Sequence, residues 1–173
     1  MYRFDLSQFK SENVTFKYLN KNDIPMILKF QDENTTPDVY VKITNEEFLE
    51  SIDYDYVIGA YNENELVGFC LMIINRETDR NLAPDIKESC IDTATFDAVV
   101  VSKSFRGHAL QKKFINLSCE IAKNLNQKPR FIAATVSPDN LFSKRNFLES
   151  GFIVKDKKEK YGGNLRLVVA KEI

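Results

Sequence analysis

The chain is poor in the side chains that bind metals and close disulfides. Of its 173 residues, 3 are cysteine and 1 is histidine. Cys70, Cys90 and Cys119 are far apart and form no CxxC pair, so the sequence predicts neither structural disulfides nor a thiolate metal site. Because His108 stands alone, a histidine-rich zinc site is excluded and we expect no metal. No GxSxG motif is present, which argues against a Ser-His-Asp hydrolase with His108 as its base.

Long apolar runs and an excess of one charge are also lacking. No stretch reaches the roughly 18 apolar residues that would span a bilayer, and residues 1–8 lack the apolar segment of a signal peptide. The 24 Lys and Arg residues nearly balance the 25 Asp and Glu residues, so no general field attracts nucleic acid or an anionic membrane. These absences predict a soluble, cytoplasmic protein without nucleic-acid or membrane partners.

The composition is otherwise that of an ordinary globular domain. Hydrophobic residues make up 43% of the chain, with 13 Phe and 7 Tyr, which is too many for a disordered protein. Neither an internal repeat nor a flexible linker divides the sequence. We therefore expect a single domain over residues 1–173, in which residues 1–12 form a tail or a short edge strand.

Apolar periodicity divides the chain into strands and helices. Strands are expected at residues 14–18, 56–61, 66–74, 91–102 and 131–136, and a final hairpin from residue 152 to residue 169. Helices are expected after N-caps at Asn22 or Asp23, Thr44 and Ser137, and over the apolar stripe from Leu110 to Leu125. The order β-α-α-β-β-β-α-β-α-β-β predicts an α/β (α+β) fold, with a mixed, mostly antiparallel central sheet flanked by helices. Residues 76–90 are expected to form a long polar loop, and such loops are often functional.

The most informative segment is an apolar strand that runs into a short turn and then an amphipathic helix. Arg106, Gly107, His108 and Ala109 stand where that helix begins. Helix N-termini present unpaired N–H groups and a partial positive charge, and Arg106 adds another positive charge. The arrangement suits a pyrophosphate, although it is neither a Walker loop nor a GxGxxG motif. The alternative is an ordinary strand–helix turn with an exposed arginine.

Two motifs in this region resemble those of a known family. Val99-Val100-Val101 followed by Arg106-Gly107-His108-Ala109-Leu110-Gln111 resembles the acetyl-CoA motif of the GCN5-related N-acetyltransferases (GNAT), which reads R-G-x-G-x-G after an apolar strand. Downstream, Asn140, Ser143, Gly151 and Phe152 resemble the family's second motif. The order of elements over residues 13–171 is similar too, so the resemblance covers nearly the whole chain.

The resemblance implies a single GNAT-like domain that transfers an acetyl group from acetyl-CoA, as co-substrate, to a primary amine on a small molecule or a peptide. A homodimer is compatible with it. The pantetheine arm would lie along Val99 and Val101 like an added strand, where that strand splays from residues 131–136. The cofactor-binding residues carried over are Val99, Val100, Val101, Arg106, Gly107, His108, Ala109, Leu110, Gln111, Asn140 and Ser143.

Three residues depart from the family's pattern. Ala109 and Gln111 stand where the family commonly has glycine, and we expect the Gln111 side chain to point away from the phosphate. Phe147 stands where many relatives have a tyrosine that protonates the departing thiolate, and phenylalanine cannot do so.

The base and the acid of the reaction have only weak candidates. Asp97 is a possible base. Under strict alternation its side chain lies on the same face of the sheet as Val99 and Val101, whereas a β-bulge would place it on the opposite face. The alternative is that Asp97 only pairs with a positive charge. Tyr161 is a candidate acid, with packing beside a turn as its alternative. Glu33 could contact a cationic substrate.

Two alternatives to an enzyme remain at this point. The domain could bind acyl-CoA without catalysis, as a regulatory module. The presence of Phe147 in place of a tyrosine is compatible with this hypothesis. It could also be an interaction module that keeps only the fold. For the enzyme we expect direct attack in a ternary complex, because Cys119 has the helical position of a packed residue rather than of an acyl carrier.

Overall fold

A mixed β-sheet forms the centre of the protein in the computed structural model, which describes residues 3–9, 11, 13–37 and 39–173. The strands are β1 (Thr15–Tyr18), β2 (Tyr56–Asn62), β3 (Glu65–Ile74), β4 (Thr93–Val101), β5 (Phe131–Val136), β6 (Ile153–Lys160) and β7 (Asn164–Glu172). Their order in the sheet is β1-β2-β3-β4-β5-β7-β6. Only β4 and β5 pair in parallel among these strands; the other pairs are antiparallel. The predicted mixed, mostly antiparallel sheet is thus confirmed.

Helices cover both faces of the sheet. They are α1 (Ile24–Asn34), α2 (Asn45–Tyr54), α3 (Ala83–Ile86), α4 (Leu110–Lys123) and α5 (Leu141–Glu149). On one face Phe114 of α4 and Phe147 of α5 join the larger core cluster, and on the other Ile27 of α1 and Phe48 of α2 join a second one. All four side chains are at most 2% exposed, so the helices bury apolar residues on each face of the sheet. No helix of the described residues is long and apolar enough to cross a membrane.

The second helix begins where its sequence predicts. The Glu47 backbone N–H donates to the Thr44 hydroxyl at 3.2 Å, and the Thr44 N–H donates to the Glu47 carboxylate at 2.7 Å. This reciprocal pair satisfies two N–H groups that a helix end otherwise leaves unpaired.

Three sequence predictions about local structure are wrong. The loop 76–90 contains α3, whose first N–H is capped by the Asn81 side chain at 2.9 Å, so the element order gains a helix between β3 and β4. Helix α5 starts after Asn140 rather than at Ser137, because the Ser137 carbonyl accepts the Asn140 N–H in a tight turn. Residues 3–9 form neither tail nor edge strand: Leu6–Gln8 is a 3-10 helix that buries Leu6, while residues 1, 2, 10 and 12 lie outside the described residues.

Two irregularities of β4 shape the centre of the molecule. Leu71 of β3 pairs with Ala98 and Met72 pairs with Phe96, so Asp97 is an extra residue in a β-bulge. Parallel pairing with β5 ends at Phe96, opposite Ala134. Residues 97–101 therefore continue without a β5 partner, which leaves the splayed edge that the resemblance implies.

Candidate functional site

A cleft of about 1140 Å³ opens where β4 and β5 separate. Its walls are the segment between α1 and α2, residues 96–101 of β4, the first turns of α4 and α5, and the end of the sheet near β7. The structure brings together in this cleft most of the predicted site residues: Asp97, Val99, Val100, Val101, Arg106, Gly107, Ala109, Leu110, Gln111, Asn140, Ser143 and Tyr161.

The N-terminus of α4 is open toward this cleft. Ala109 is its N-cap residue and no side chain caps the helix, and the Lys113 N–H donates to the Ala109 carbonyl. The three preceding N–H groups have no acceptor within the helix, so they can bind an anion. Ala109 has φ of 55°, a left-handed conformation that costs an alanine roughly 1–2 kcal/mol. Gly107 has φ of +88° with no neighbouring atom within 4 Å of where a Cβ would lie, so nothing crowds the approach to these amides.

Arg106 is held at the mouth of the cleft by the end of α1. Its Nη2 donates to the Asn34 carbonyl at 2.9 Å, and the Asn34 side-chain oxygen accepts the Lys103 N–H at 2.9 Å. These contacts fix the turn before α4 and leave other guanidinium N–H groups of Arg106 for an anion.

Two predicted site residues do not line the cleft. The His108 ring stacks on Phe105, with centroids 4.6 Å apart, and its Nδ1–H donates to the Phe105 carbonyl at 3.1 Å. Glu33 is exposed and lies 3.7 Å from Lys29, one turn away on α1. Neither side chain lines the cleft, although the His108 ring packs against Phe105, which does.

Gln111 connects the first turns of α4 and α5. Its Nε2 donates to the Ser143 hydroxyl at 2.6 Å, and the Asn146 amide donates to its Oε1 at 2.8 Å. The Asn140 side chain in turn accepts the Ser143 N–H at 3.1 Å as the N-cap of α5. Because the side chain of Gln111 is directed to α5, these bonds fix the two helix starts that border the cleft.

Phe147 forms an apolar part of the cleft wall. It is 2% exposed and packs edge-to-face between Phe96 and Phe152, at centroid distances of 5.8 and 5.1 Å. The Phe147 side chain therefore gives the cleft wall its shape and a low dielectric environment, but it cannot donate a proton.

Asp97 is paired with an arginine from the loop before α3. Its Oδ2 accepts from Arg80 Nη2 at 2.6 Å and from Nε at 3.2 Å, and Nη2 also donates to Ser51 of α2 at 3.2 Å. The bulge turns Asp97 toward α2, whereas Val99 and Val101 pack against the cluster beneath α4. The expectation of a shared face is thus wrong, because the extra residue breaks the alternation. Burial raises the pKa of the Asp97 carboxyl, and the attraction of Arg80 offsets this only in part.

Tyr161 lies at the turn between β6 and β7, with its hydroxyl 3.1 Å from that of Thr135. It is 39% exposed and borders the cleft. Partial burial is the main cause that raises the pKa of its phenol, so the hydroxyl keeps its proton at neutral pH.

Tyr40, Phe142 and Arg166 line the cleft but are not among the residues that the sequence predicts for the site. Tyr40 donates to the Gln31 side chain at 3.2 Å, and burial together with Asp97 raises its pKa. Arg166, on β7, is 4% exposed, and Phe142, at the start of α5, is 76% exposed. A charged residue inside an apolar strand was the only sequence signal for Arg166; nothing in the pattern pointed to the other two.

Comparisons with known proteins agree with this geometry. The profile of the acetyltransferase (GNAT) family matches residues 23–152. A GNAT-family acetyltransferase from Streptococcus pneumoniae is 16% identical with a TM-score of 0.70, and the alignment covers 92% of this chain and 99% of that one. The search of curated proteins finds no match.

The similar structures include some that contain acetyl-CoA or an analogue of it. The protein yncA from Salmonella typhimurium, solved with its cofactor acetyl-CoA, is 16% identical with a TM-score of 0.69 and coverage of 93% and 94% of the two chains. A protein of Arabidopsis thaliana in complex with the bisubstrate analogue CoA-Ac-MVNAL is 14% identical with a TM-score of 0.73 and coverage of 93% and 99%. At these identities the likeness establishes the fold.

Proposed function

Because the chain belongs to the GNAT acetyltransferase family, we propose that it transfers the acetyl group of acetyl-CoA to a primary amine by direct attack in a ternary complex. One observation carries this proposal: the unpaired edge of β4, residues 97–101, leads to the uncapped N-terminus of α4 along one cleft. A strand edge can bind the amide groups of pantetheine, and a helix N-terminus can bind a pyrophosphate.

The cofactor would span the cleft between these two features. The backbone at Val99 and Val101 would bind the pantetheine arm, and the amides of residues 107–111 would bind the pyrophosphate, with Arg106 beside it. The acetyl group would then lie near the bulge at Asp97, over the apolar wall that contains Phe147. Only the backbone amide of His108 would contact the pyrophosphate, because the imidazole ring stacks on Phe105.

Replacing Arg106 by alanine is expected to weaken acetyl-CoA binding by roughly 1.5–3 kcal/mol, the usual contribution of a hydrogen bond to a charged group. Isothermal titration calorimetry measures this directly. Lys29→Ala, which removes another exposed cation outside the cleft, is the control and should leave the affinity unchanged. An Arg106→Ala protein with unchanged affinity would exclude Arg106 from the pyrophosphate site.

Attack on the thioester requires a neutral amine, so a base must take its proton. We assign this role to Asp97, whose two bonds from Arg80 both use Oδ2 and leave Oδ1 for the amine. The nitrogen then forms the new C–N bond, the C–S bond breaks with its electron pair on sulfur, and the released thiolate accepts a proton. Burial makes Asp97 a stronger base than an ordinary carboxylate.

The thiolate can leave with little help, since a thiol of pKa near 8.5 costs only about 2 kcal/mol to release unprotonated at pH 7. We therefore expect Tyr161→Phe to lower kcat by less than about tenfold, and Phe147→Tyr to leave it unchanged or raise it. Steady-state kinetics on both variants measure this. If Tyr161→Phe costs more than about a hundredfold at unchanged acetyl-CoA affinity, Tyr161 is the general acid.

No cysteine of the described residues is placed to carry the acetyl group. Cys70 and Cys119 are buried, and burial raises the pKa of both thiols, which suppresses the nucleophilic thiolate. Cys90 is partly buried, and none of the three lines the cleft. These observations support direct transfer over a ping-pong route through an acetyl-cysteine.

A thiol-release assay with acetyl-CoA and a panel of primary amines tests the proposed function. We expect turnover with intersecting double-reciprocal lines, as a ternary complex requires; parallel lines and a trapped acetyl-cysteine would overturn direct transfer. Binding of acetyl-CoA without thiol release from any amine would instead support a non-catalytic acyl-CoA-binding module, the alternative that Phe147 favours.

A further inference from the structure

Arg166 is a buried cation in the cleft wall that the proposed chemistry does not use. The residue is 4% exposed. Its Nη1 donates to the Leu165 carbonyl at 3.0 Å, whereas its Nη2 is buried without a hydrogen-bond partner among the described residues. It forms no ion pair with an acidic group in that part of the chain either. Arginine stays charged at any ordinary pH, so this charge is costly unless a ligand matches it.

The position of Arg166 places it beside the candidate acid. Thr135 of β5 pairs with Val168 of β7, and Arg166 precedes Val168 by two residues, so Arg166 and Thr135 share a face of the sheet. The Thr135 hydroxyl lies 3.1 Å from that of Tyr161. The charge of Asp97 raises the pKa of Tyr161 and the charge of Arg166 lowers it, so the Tyr161 hydroxyl interacts electrostatically with both groups.

The other charged groups here leave Arg166 unmatched. Asp85, from α3, accepts from Lys158 at 2.6 Å and from Lys160, so its charge is already neutralised. Arg80 is neutralised by Asp97, although its Nη1 is another buried N–H group without a partner.

The end of the cleft near Asp97 is acidic. Glu47 lines the cleft together with Asp97 and Arg80, and its carboxylate is one of the charges that raise the pKa of Arg80. Asp97 and Glu47 together outweigh the single charge of Arg80, whereas the Arg166 end carries one unmatched positive charge. A ligand with an amine at one end and an anion at the other complements this arrangement.

We propose that the acceptor of the acetyl group is a free amino acid or a related amino carboxylate, bound through its carboxylate to the Nη2 of Arg166, with its amine at the Asp97 end of the cleft. The inference rests on the proposed acetyl transfer and adds the class of acceptor. A carboxylate offers the planar, singly charged partner that one guanidinium matches best. A phosphate dianion would exceed the single unmatched charge, and the first residue of a peptide has an amide where a free amino acid has its carboxylate.

Matched pairs of acceptors test the proposal: glycine and glycinamide, β-alanine and its amide, and 4-aminobutyrate and its amide. For at least one pair we expect kcat/KM to be at least about tenfold higher for the carboxylate, as a charged hydrogen bond contributes. Near neutral pH a larger fraction of each amide than of its acid has an uncharged amine, which by itself would make the amide the better acceptor. A preference for the carboxylate must therefore come from its binding to the protein. Arg166→Met should abolish the preference. Arg130→Met, an exposed arginine paired with Glu172, is the control and should keep it.

If Arg166→Met fails to fold, binding of the acceptors to the unmodified protein still tests the proposal. Calorimetric titration of the pairs into the unmodified protein saturated with CoA should show, for at least one pair, tighter binding of the carboxylate than of its amide. Equal turnover or binding of acid and amide in every pair, or better turnover of 2-aminoethyl phosphate than of any carboxylate, would overturn the acceptor class alone. Failure of acetyl-CoA itself to bind in a separate titration would overturn the proposed function, and the acceptor assignment with it.

Discussion

Replacing Asp97 by asparagine is expected to lower kcat/KM by about 10²–10⁴-fold, the usual contribution of a positioned general base. Asparagine keeps the size of the side chain and an oxygen that can accept the bonds from Arg80, but it cannot take a proton from the amine. Affinity for acetyl-CoA should stay the same, because the side chain of Asp97 faces α2 rather than the core beneath α4. Steady-state kinetics and calorimetry together separate these two effects.

The pH profile distinguishes a base from a residue that only holds the site together. Burial raises the pKa of Asp97, so its basic form is lost as the pH falls through a value above the ordinary range of a carboxyl. The decrease of kcat/KM at low pH should therefore depend on one more ionisable group in the unmodified protein than in Asp97→Asn. Asp92→Asn is the control, since that carboxylate precedes β4 and accepts from the Ser89 hydroxyl at 2.6 Å. An Asp97→Asn enzyme with full activity, or with an unchanged acid limb, would refute the assignment.

Local signals were enough to predict most of the secondary structure. The capping box of Thr44 and Glu47 places the start of α2, and the apolar stripe from Leu110 places α4, because both depend on contacts within one or two helical turns. The start of α5 was misplaced for the same reason. Ser137 and Pro138 have the chemistry of a helix start, but the chain makes one more turn before Asn140 caps the helix.

The residues on the α4 side of the cleft were predictable by resemblance, whereas the pairing of Asp97 with Arg80 was not. The motif from Arg106 to Gln111 is contiguous, so it is visible in a single sequence. The pair of Arg80 and Asp97 joins residues 17 positions apart, across a helix and a bulge that periodicity does not reveal. The bulge also inverted the expected face of Asp97, since one inserted residue changes the side of the sheet on which it lies.

Removing the positive charge of Arg80 is expected to be the most destabilising single change in the site. The side chains of Arg80 and Asp97 are 10% and 8% exposed. Breaking a buried pair by removal of one partner typically costs about 3–5 kcal/mol, because the other charge stays buried without compensation. Arg80→Met should therefore lower the free energy of unfolding at pH 7 by roughly that amount. The double variant with Asp97→Asn should recover much of the loss, since no charge is then left behind.

The loss in Arg80→Met should shrink as the pH falls. Without Arg80, the pKa of Asp97 in the folded protein rises further above its unfolded value of about 3.9. The folded state then binds a proton more tightly than the unfolded state, so stability increases as the pH falls from the folded pKa toward the unfolded one. Urea denaturation at pH 7 and near pH 5 measures the difference. Arg130→Met breaks an exposed pair and should cost less than about 1 kcal/mol at either pH. A loss in Arg80→Met that is equally small, or that does not change with pH, would show that Asp97 is not a buried charge dependent on Arg80.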